Sequence, residues 1–266
     1  MTLGQSIALG ALQGITEFLP ISSSGHLIFG EEILGLPLSI LKSFDVMVHM
    51  GTLGAILIYF WKDIKSLFYA LLATLRLTPK KAETAEYQKL IGAIIIGTIP
   101  AVFVGLYLED IIDSIFRHSS IVALVMIALA VVYYLAENYP EEKKYNKVNG
   151  FKALMIGIAQ AIAIIPGVSR SGSTIAAGLF LGVKRDKAAR FSFLLGVPAI
   201  LGAGILTGLK SNFGVVSFWH YLAGFIAALL FGLISIKFLM QFLKNHTLHG
   251  FAIYLIVIGM LFFILR

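Results

Sequence analysis

Residues 90–108 read LIGAIIIGTIPAVFVGLYL, an apolar run without a charged side chain. This length approaches the ~20 residues that an α-helix needs to cross the apolar layer of a bilayer. Two further runs, at 121–136 and 251–265, are similarly apolar. None of the three alternates apolar and polar residues with a period of two, as the strands of a membrane barrel would. Because backbone amides find no water inside lipid, these segments are predicted to be membrane-spanning α-helices.

The composition of the whole chain also indicates a membrane protein. Of its 266 residues, 58% are hydrophobic and 13% are charged, whereas a soluble domain has about 45–50% apolar and about 25% charged residues. The formal net charge of +7 comes from basic residues in the short links between apolar runs. This placement is typical of cytoplasmic loops, so no nucleic-acid partner is expected. The absence of cysteine excludes disulfides and thiolate chemistry.

The chain is predicted to be an all-α, polytopic membrane protein with one integral membrane domain over 1–266. Two regions, at about 4–35 and 150–183, are interrupted by glycine, proline and serine. They are predicted to be broken helices that enter the membrane and return on the same side. Six full spans are predicted at about 46–61, 90–108, 120–136, 191–209, 217–237 and 248–265.

The distribution of lysine and arginine supports these re-entrant hairpins. With both broken regions returning to their own side, 16 basic residues fall on one side of the membrane and 4 on the other, with Arg170 set apart. If 150–183 crossed once instead, the basic cluster at 184–190 would change sides and the asymmetry would disappear. The positive-inside rule makes the basic side cytoplasmic. Both termini are therefore expected outside, with 4–35 entering from the outer face and 150–183 from the inner face.

The two broken regions also resemble each other in sequence. Five residues of the first recur in the second at a constant offset of 147, without gaps. The pairs are Gly10 with Gly157, Gln13 with Gln160, Ser22 with Ser169, Ser24 with Ser171 and Gly25 with Gly172. Copies that enter from opposite faces form an inverted repeat, the plan of many secondary transporters. The repeat halves are predicted at about 1–145 and 146–266.

Within the broken regions, the stretches 13–26 and 166–174 carry three ionisable side chains, those of Glu17, His26 and Arg170. A charged group at membrane depth costs about 2.5–3.5 kcal/mol on insertion scales, so each is a candidate functional residue. Gln13 and Glu17 are four residues apart and share one helical face. Pro20 is expected to end that helix, because proline cannot continue the hydrogen-bond ladder.

Hydroxyl groups and flexible backbone mark each break, in SSSG at 22–25 and in GVSRSGS at 167–173. Free amides at a helix N-terminus bind anions, and an arginine fork suits phosphate. Two such sites that face each other could hold a diphosphate. The carboxylate would then serve as base or metal ligand, and the imidazole as acid or nucleophile. The predicted substrate-binding residues are Gln13, Ser22, Ser24, Gly167, Ser169, Ser171, Ser173 and Thr174.

Two motifs, QGITEFLPISSSGH at 13–26 and PGVSRSGST at 166–174, carry a resemblance to a known family. With the length and the span order, they are similar to the bacterial undecaprenyl-pyrophosphate phosphatase family, the bacitracin-resistance proteins. The resemblance implies a hydrolase that removes the terminal phosphate of undecaprenyl diphosphate at the outer face of the bacterial cytoplasmic membrane. This reaction recycles the lipid carrier of cell-wall synthesis. The resemblance also implies a divalent cation, Mg²⁺ or Ca²⁺, as cofactor.

The resemblance further implies roles for four catalytic residues. Glu17 orients or deprotonates the attacking group, directly or through the metal, for which it is the predicted ligand. Ser23 is the leading nucleophile candidate, and His26 is either the acid for the leaving group or a rival nucleophile. Arg170 clamps the diphosphate. Gln13 stands where many relatives carry Glu, so it can position a neighbour but cannot act as a base.

Other classes of protein compete with this hypothesis. A transporter or flippase of polyprenyl phosphates would also use an inverted repeat and a midplane anion site, although a carboxylate, a serine and an imidazole together exceed what anion binding needs. The lipid phosphatases with P-S-G-H and S-R-x5-H motifs are set aside, because no histidine follows Arg170 at that spacing. A structural subunit does not explain an arginine among serines. The expected partners are undecaprenyl diphosphate and the bilayer, and a homodimer is left open. His49 is interpreted as a helix-packing group.

Overall fold

The computed structural model describes residues 1–36, 41–77, 79, 84–116, 118–139, 147–214 and 216–264. These residues form helices joined by short links. The helices are α1 (Leu3–Phe18), α2 (Ser23–Ile33), α3 (Lys42–Tyr59), α4 (Trp61–Thr74), α5 (Thr84–Tyr107), α6 (Glu109–Phe116), α7 (Ser119–Asn138), α8 (Gly150–Ile162), α9 (Arg170–Phe180), α10 (Arg185–Lys210), α11 (Phe218–Phe242) and α12 (His249–Ile264). The boundary predicted between the halves, at 145 and 146, lies outside the described residues, as do Lys80, Lys81, Arg117, Lys143, Lys144 and Arg266 of the charge count.

The predicted all-helical membrane fold is confirmed, and within the described residues four helices, or five with one bent pair, qualify as spans where six were predicted. By length and composition α5, α7, α10 and α11 could each cross a bilayer. Helices α3 and α4 qualify as a fifth span when taken together, and they bend by 82° where they meet. Helix α12 has 16 described residues, which at 1.5 Å per residue is shorter than a ~30 Å apolar layer. The separate helix α4 and the short α6 were not predicted.

The two broken regions have the same construction. Helices α2 and α9 are both 11 residues long, and their bounds differ by the same offset of 147 as the sequence matches. Each is preceded by a matched serine whose hydroxyl accepts a hydrogen bond from the third amide of its helix, Ser22 from Gly25 and Ser169 from Gly172. Such side-chain caps satisfy amides that have no partner inside the helix. The matched serines therefore serve the same local purpose in both regions.

Matched glycines let the first helix of each broken region pack closely on a long span. A Cβ at Gly10 would overlap the carbonyl oxygen of Gly224 on α11, and a Cβ at Gly157 would overlap that of Gly97 on α5. Small residues at such crossings allow the helix backbones to approach, which is how membrane helices gain contact without a hydrophobic driving force. The crossings explain the match of Gly10 with Gly157 and hold α1 and α8 in place.

Polar contacts join helix ends on the side where α7 ends and α10 begins. The Glu137 carboxylate accepts hydrogen bonds from Arg185 at 3.1 and 2.5 Å and from the amide of Leu248 at 2.8 Å. This links the C-terminus of α7 to the N-termini of α10 and α12. Arg190 of α10 pairs with Asp63 of α4. The bent helix α4 is thereby tied to the start of α10.

The outer face of α5 shows how the bundle meets lipid. Ile95, Ile99 and Phe103 follow one another at helical spacing and are all largely exposed. Within the bundle, by contrast, Phe18 and Phe193 are fully buried and pack edge to face with ring centroids 5.6 Å apart. This contact holds the last turn of α1 against α10. It thereby positions Glu17, the neighbour of Phe18.

Candidate active site

The breaks in the two broken helices contact each other. Ser24 Oγ accepts a hydrogen bond from the amide of Gly167 at 3.4 Å, and Ser171 Oγ donates to the carbonyl oxygen of Leu19 at 3.3 Å. Ser24 and Ser171 are matched residues, so each break uses the equivalent serine to reach the other. The end of α1 is therefore beside the start of α9.

This junction brings Glu17 and Arg170 together. Arg170 Nη2 donates to Glu17 Oε1 at 2.7 Å, and the two side chains are only 14% and 6% exposed. Arg170 Nη1 also donates to the carbonyl oxygen of Ser192 on α10 at 3.3 Å. A charge buried in an apolar surrounding is tolerated when it is paired and hydrogen-bonded. The two predicted charged residues therefore form one buried ion pair.

Three more side chains lie around Oε2, the second carboxylate oxygen of Glu17. Ser23 Oγ donates to Glu17 Oε2 at 2.7 Å, and Gln13 Nε2 donates to the same oxygen at 3.0 Å. His49 Nε2 lies 3.9 Å away. A hydroxyl within about 2.6–3.2 Å of a carboxylate has the geometry of a nucleophile and its general base. The predicted spacing of Gln13 and Glu17 on one helical face is confirmed.

His26 lies on the same helix as Ser23, but its ring makes other contacts. Its Nδ1 is 2.8 Å from the carbonyl oxygen of Ser22, and its Nε2 is 2.8 Å from the hydroxyl of Tyr254 on α12. Both ring nitrogens therefore have a partner. In this arrangement the Ser23 hydroxyl, rather than the imidazole, is the group that faces the Glu17 base.

The remaining predicted binding residues divide into two groups. Ser24, Gly167 and Ser171 make the hydrogen bonds between the two breaks. The capping serines bond within their own breaks, Ser22 to Ser24 at 3.4 Å and Ser169 to Ser171 at 3.1 Å. The hydroxyls of the two residues farther along α9 are used inside the fold. Ser173 donates to the carbonyl oxygens of residues 159 and 170, and Thr174 bonds residues 170, 171 and 192.

Free backbone amides are present at the start of both helices that follow the breaks. The first two amides of α2, of Ser23 and Ser24, and the first two of α9, of Arg170 and Ser171, have no hydrogen-bond partner within the described part of the chain. Such amides, with the partial positive charge of a helix N-terminus, are suited to an anion. The two N-termini meet at one place, as the sequence pattern predicted.

Several residues near the site lie outside both motifs. His49, interpreted from sequence as a packing group, is near Glu17, and it follows Asp45 by one helical turn in an otherwise apolar run. Ser192 supports Arg170, and a Cβ at Gly196 would overlap the Arg170 guanidinium. Tyr254 adds the contact to His26. These residues belong to α3, α10 and α12. The one sequence signal for His49, Ser192 and Tyr254 is that each is a polar residue inside an apolar span.

The donor atoms around Glu17 can be tested for a divalent cation. Within the described ranges no cluster of three or more His, Asp or Glu side chains could hold a metal by itself. The side-chain oxygen of Gln13 is buried without a hydrogen-bond partner, next to the Glu17 carboxylate. Two oxygen donors fit Mg²⁺ or Ca²⁺, provided that phosphate and water supply the other ligands. The site therefore fits a cation shared with a phosphorylated ligand.

The fold and the site together define a polytopic helical membrane protein with a charged polar site at the junction of two broken helices. The chain belongs to the bacitracin resistance protein BacA family, whose model matches residues 6–261. It is similar to proteins named undecaprenyl-diphosphatase in three organisms. The relative in Methanosphaera stadtmanae is 42% identical over 98% of this chain and 96% of its own length. Those in Thermomicrobium roseum and Corynebacterium glutamicum are each 41% identical over 98% of this chain, and 96% and 89% of their own lengths respectively.

Proposed function

We propose that this protein is an undecaprenyl-diphosphate phosphatase, which hydrolyses the diphosphate to undecaprenyl phosphate and inorganic phosphate. Family membership and the names of the relatives supply the substrate. The observation in the structure that carries the proposal is the 2.7 Å hydrogen bond from Ser23 Oγ to Glu17 inside an arginine-containing membrane site. Phosphoryl transfer to an enzyme side chain requires a nucleophile, a base that activates it and a group that binds the phosphate anion.

The diphosphate binds where the two breaks meet. Arg170 interacts with the phosphate oxygens, and the free amides at the N-termini of α2 and α9 add hydrogen bonds. Ser22, Ser24, Ser169 and Ser171 line the same junction, and Ser173 and Thr174 hold the first turn of α9 in shape. The prenyl chain lies along the apolar faces of the surrounding helices. The charged end of the substrate is thus held by polar groups while its tail stays in an apolar environment.

The first chemical step transfers the terminal phosphoryl group to the enzyme. Ser23 Oγ forms a bond to the terminal phosphorus as its proton passes to Glu17 and the bridging P–O bond breaks. The leaving group is undecaprenyl phosphate, which departs as an anion. Arg170 and the amides stabilise the charge on the phosphoryl oxygens.

The second step releases phosphate. Water forms a bond to the phosphorus of the seryl phosphate, and one of its protons is taken up by the phosphate product. The Oγ–P bond breaks, and Glu17 returns its proton to Ser23 Oγ. The enzyme is restored, and the sum of both steps is the hydrolysis of one phosphoanhydride bond.

A divalent cation would be held by the Glu17 carboxylate and the Gln13 side-chain oxygen, with substrate phosphate and water as further ligands. When bound, it neutralises charge on the phosphate groups. Gln13 would also orient Glu17 through the hydrogen bond at 3.0 Å. Removal of divalent cations with a chelator tests this role by phosphate release.

The protein acts in the bacterial cytoplasmic (inner) membrane, and its site opens to the outer side. This placement is supported by the excess of basic residues on the side predicted to be cytoplasmic, where Arg185 and Arg190 begin α10. Accessibility of single cysteines introduced at exposed helix ends, in a chain that has none of its own, tests the orientation.

Homodimer formation stays a prediction. The exposed apolar face of α5 can be covered by lipid tails or by a second copy of the chain. The mass of the particle in detergent, measured by light scattering with correction for bound detergent, distinguishes a monomer from a dimer.

The central experiment measures phosphate release from undecaprenyl diphosphate by the purified protein in detergent. Ser23→Ala is expected to lower kcat/KM by at least about a hundredfold, because it removes the attacking group. Ser235→Ala, at another buried serine on α11, is the matched control and should keep wild-type activity. Equal activity of Ser23→Ala and wild type would contradict the assignment of the nucleophile.

The same purified protein also tests the alternative function, transport of polyprenyl phosphates. A well-folded wild type that binds the lipid but releases no phosphate would refute hydrolysis. Lipid flux in reconstituted vesicles would then be measured. The hydrogen-bonded pair of Ser23 and Glu17 favours hydrolysis over transport, because a transport site does not need a nucleophile beside a base.

A further inference from the structure

Tyr254 is an unusual residue in α12. From Phe251 to Ile264 it is the only side chain with a hydrogen-bonding group. Phenylalanine would supply the same apolar ring, whereas a hydroxyl inside a membrane is costly unless it finds a partner. The reason for tyrosine at this position must therefore be sought in its hydroxyl.

The partner is the imidazole of His26. The Tyr254 hydroxyl lies 2.8 Å from His26 Nε2, and the two rings are nearly parallel, at 11°, with centroids 5.7 Å apart. A second ring pair, Phe29 with Phe262, joins the same two helices with centroids 3.6 Å apart. Helix α12 is thus held against α2, the helix that carries Ser23.

The contacts of His26 determine which nitrogen carries the proton. Nδ1 faces the carbonyl oxygen of Ser22 at 2.8 Å, and a carbonyl oxygen can only accept. Nδ1 must therefore be protonated. In the neutral ring Nε2 is then an acceptor, and it receives the hydrogen bond of the Tyr254 hydroxyl. The tyrosine hydroxyl therefore stabilises the tautomer with a protonated Nδ1, which donates a hydrogen bond to the Ser22 carbonyl.

That carbonyl belongs to the peptide bond that joins Ser22 to Ser23. The peptide is planar, so holding its oxygen also sets the direction of the Ser23 amide, one of the free amides at the start of α2. Ser22 has a positive φ of 70°, a conformation that costs non-glycine residues energy and persists only where neighbours hold it. Ser22 also caps α2 through Gly25. The turn before the proposed nucleophile is thus fixed at several points.

We propose that Tyr254 is a positioning residue for Ser23, acting through His26. Its hydroxyl holds the imidazole so that Nδ1–H binds the Ser22 carbonyl, which orients the Ser22–Ser23 peptide and directs Ser23 Oγ toward Glu17. This inference rests on the proposed phosphatase function for its kinetic effect. The hydrogen bond and the tautomer themselves do not depend on that function.

The kinetic test compares Tyr254→Phe with Tyr134→Phe. Tyr134 also lies against a histidine ring, that of His249, at 5.6 Å, but only through a ring contact. We expect Tyr254→Phe to lower kcat by about ten- to a hundredfold with KM changed less than about twofold, because a misplaced nucleophile loses rate rather than binding. Tyr134→Phe should behave as wild type, and both variants should keep the wild-type Tm. Wild-type kcat in Tyr254→Phe, or a fall in Tm that accounts for the loss, would overturn the proposal.

Variants of His26 test whether Tyr254 acts through it. An asparagine places its side-chain NH₂ the same number of bonds from the backbone as Nδ1, so His26→Asn can still donate to the Ser22 carbonyl. We expect His26→Asn to keep more activity than His26→Gln or His26→Ala. Adding Tyr254→Phe to His26→Asn should cause no further loss. A full additional loss in the double variant would show that the tyrosine acts independently and would overturn the proposal.

Nitrogen-15 NMR of histidine-labelled protein gives a readout apart from activity. The His26 signals, assigned by their loss in His26→Asn, should show a protonated Nδ1 and an unprotonated Nε2, and Tyr254→Phe should shift Nε2 most. A protonated Nε2 in the wild type would overturn the proposal even if the enzyme is active. If instead the wild type released no phosphate while this tautomer was found, the proposed function would fail and the contact would stand.

Discussion

Arg170 and Glu17 are 153 residues apart in the chain, and their side chains form a hydrogen-bonded ion pair at 2.7 Å. Glu17 is in the last turn of α1, and Arg170 is the first residue of α9. The pair therefore joins the first broken helix to the second. Glu17 also accepts from Ser23, so one carboxylate connects the group that binds anions to the proposed nucleophile.

Breaking this buried pair from one side should cost more than replacing both partners. Glu17→Gln or Arg170→Gln alone leaves an unpaired buried charge, and each is expected to lower the free energy of unfolding by about 3–5 kcal/mol. The double variant pairs two neutral amides and should recover about 1–3 kcal/mol relative to the sum of the single changes. Denaturant unfolding in detergent measures this cycle. Strictly additive losses would contradict the pairing.

Gly196 should matter because it leaves room for the Arg170 guanidinium. A Cβ there would overlap the guanidinium, so Gly196→Ala is expected to displace the end of a flexible side chain and to raise KM by about tenfold, which corresponds to about 1.4 kcal/mol of binding. Because displacing the guanidinium also weakens its ion pair with Glu17, the free energy of unfolding should fall as well, but by less than in Arg170→Gln. Gly202→Ala, on the same helix with open space around it, is the control. An unchanged KM in Gly196→Ala would exclude this spatial role.

Gly157 should matter for stability rather than for chemistry. A Cβ at this position would overlap the backbone of Gly97, and overpacking of this kind costs about 1–3 kcal/mol. Gly157→Ala is therefore expected to lower Tm in detergent. Gly92→Ala, on α5 with no neighbouring atom within 4 Å, should leave Tm unchanged or slightly raised. Equal Tm values for the two variants would show that the α5–α8 crossing tolerates a wider separation.

Glu137, at the end of the bundle where α10 begins, should contribute strongly to the free energy of unfolding. Its side chain is 2% exposed and is hydrogen-bonded to Arg185 and to the amide of Leu248. Glu137→Ala is expected to cost about 1.5–3 kcal/mol, because it leaves the partly exposed Arg185 and the amide of Leu248 without their partner. Asp186→Asn removes a much more exposed partner, that of Lys187, and should cost less than about 1 kcal/mol. Similar losses in both variants, measured by denaturant unfolding, would contradict this ranking.

The helices were largely predictable because the cause of each is local. A long apolar run such as 90–108 must be a helix in lipid, whatever it packs against. The breaks were predictable for the same reason, since Pro20 and the serines before α2 and α9 end and begin helices through their own chemistry. The bend between α3 and α4 was missed, because the apolar run at 46–61 carries no signal of the turn at Phe60.

The candidate site was predictable in its composition but not in its contacts. The motifs identified Glu17, Ser23, His26 and Arg170 as ionisable or nucleophilic groups at membrane depth, and nothing in their spacing showed which would meet. Tyr254 was missed, because a single tyrosine in a span has no pattern around it.

The sequence by itself determined a helical membrane protein with two matched broken helices and the polar residues in them, since lipid imposes these features on each segment separately. Only the tertiary structure decided that Ser23 faces Glu17, that Arg170 crosses from the other broken helix to pair with it, and that α12 supplies a partner for His26. The physical reason is that these contacts depend on which helices lie side by side. That arrangement results from close packing at glycines such as Gly10 and Gly157, and it cannot be read from either segment alone.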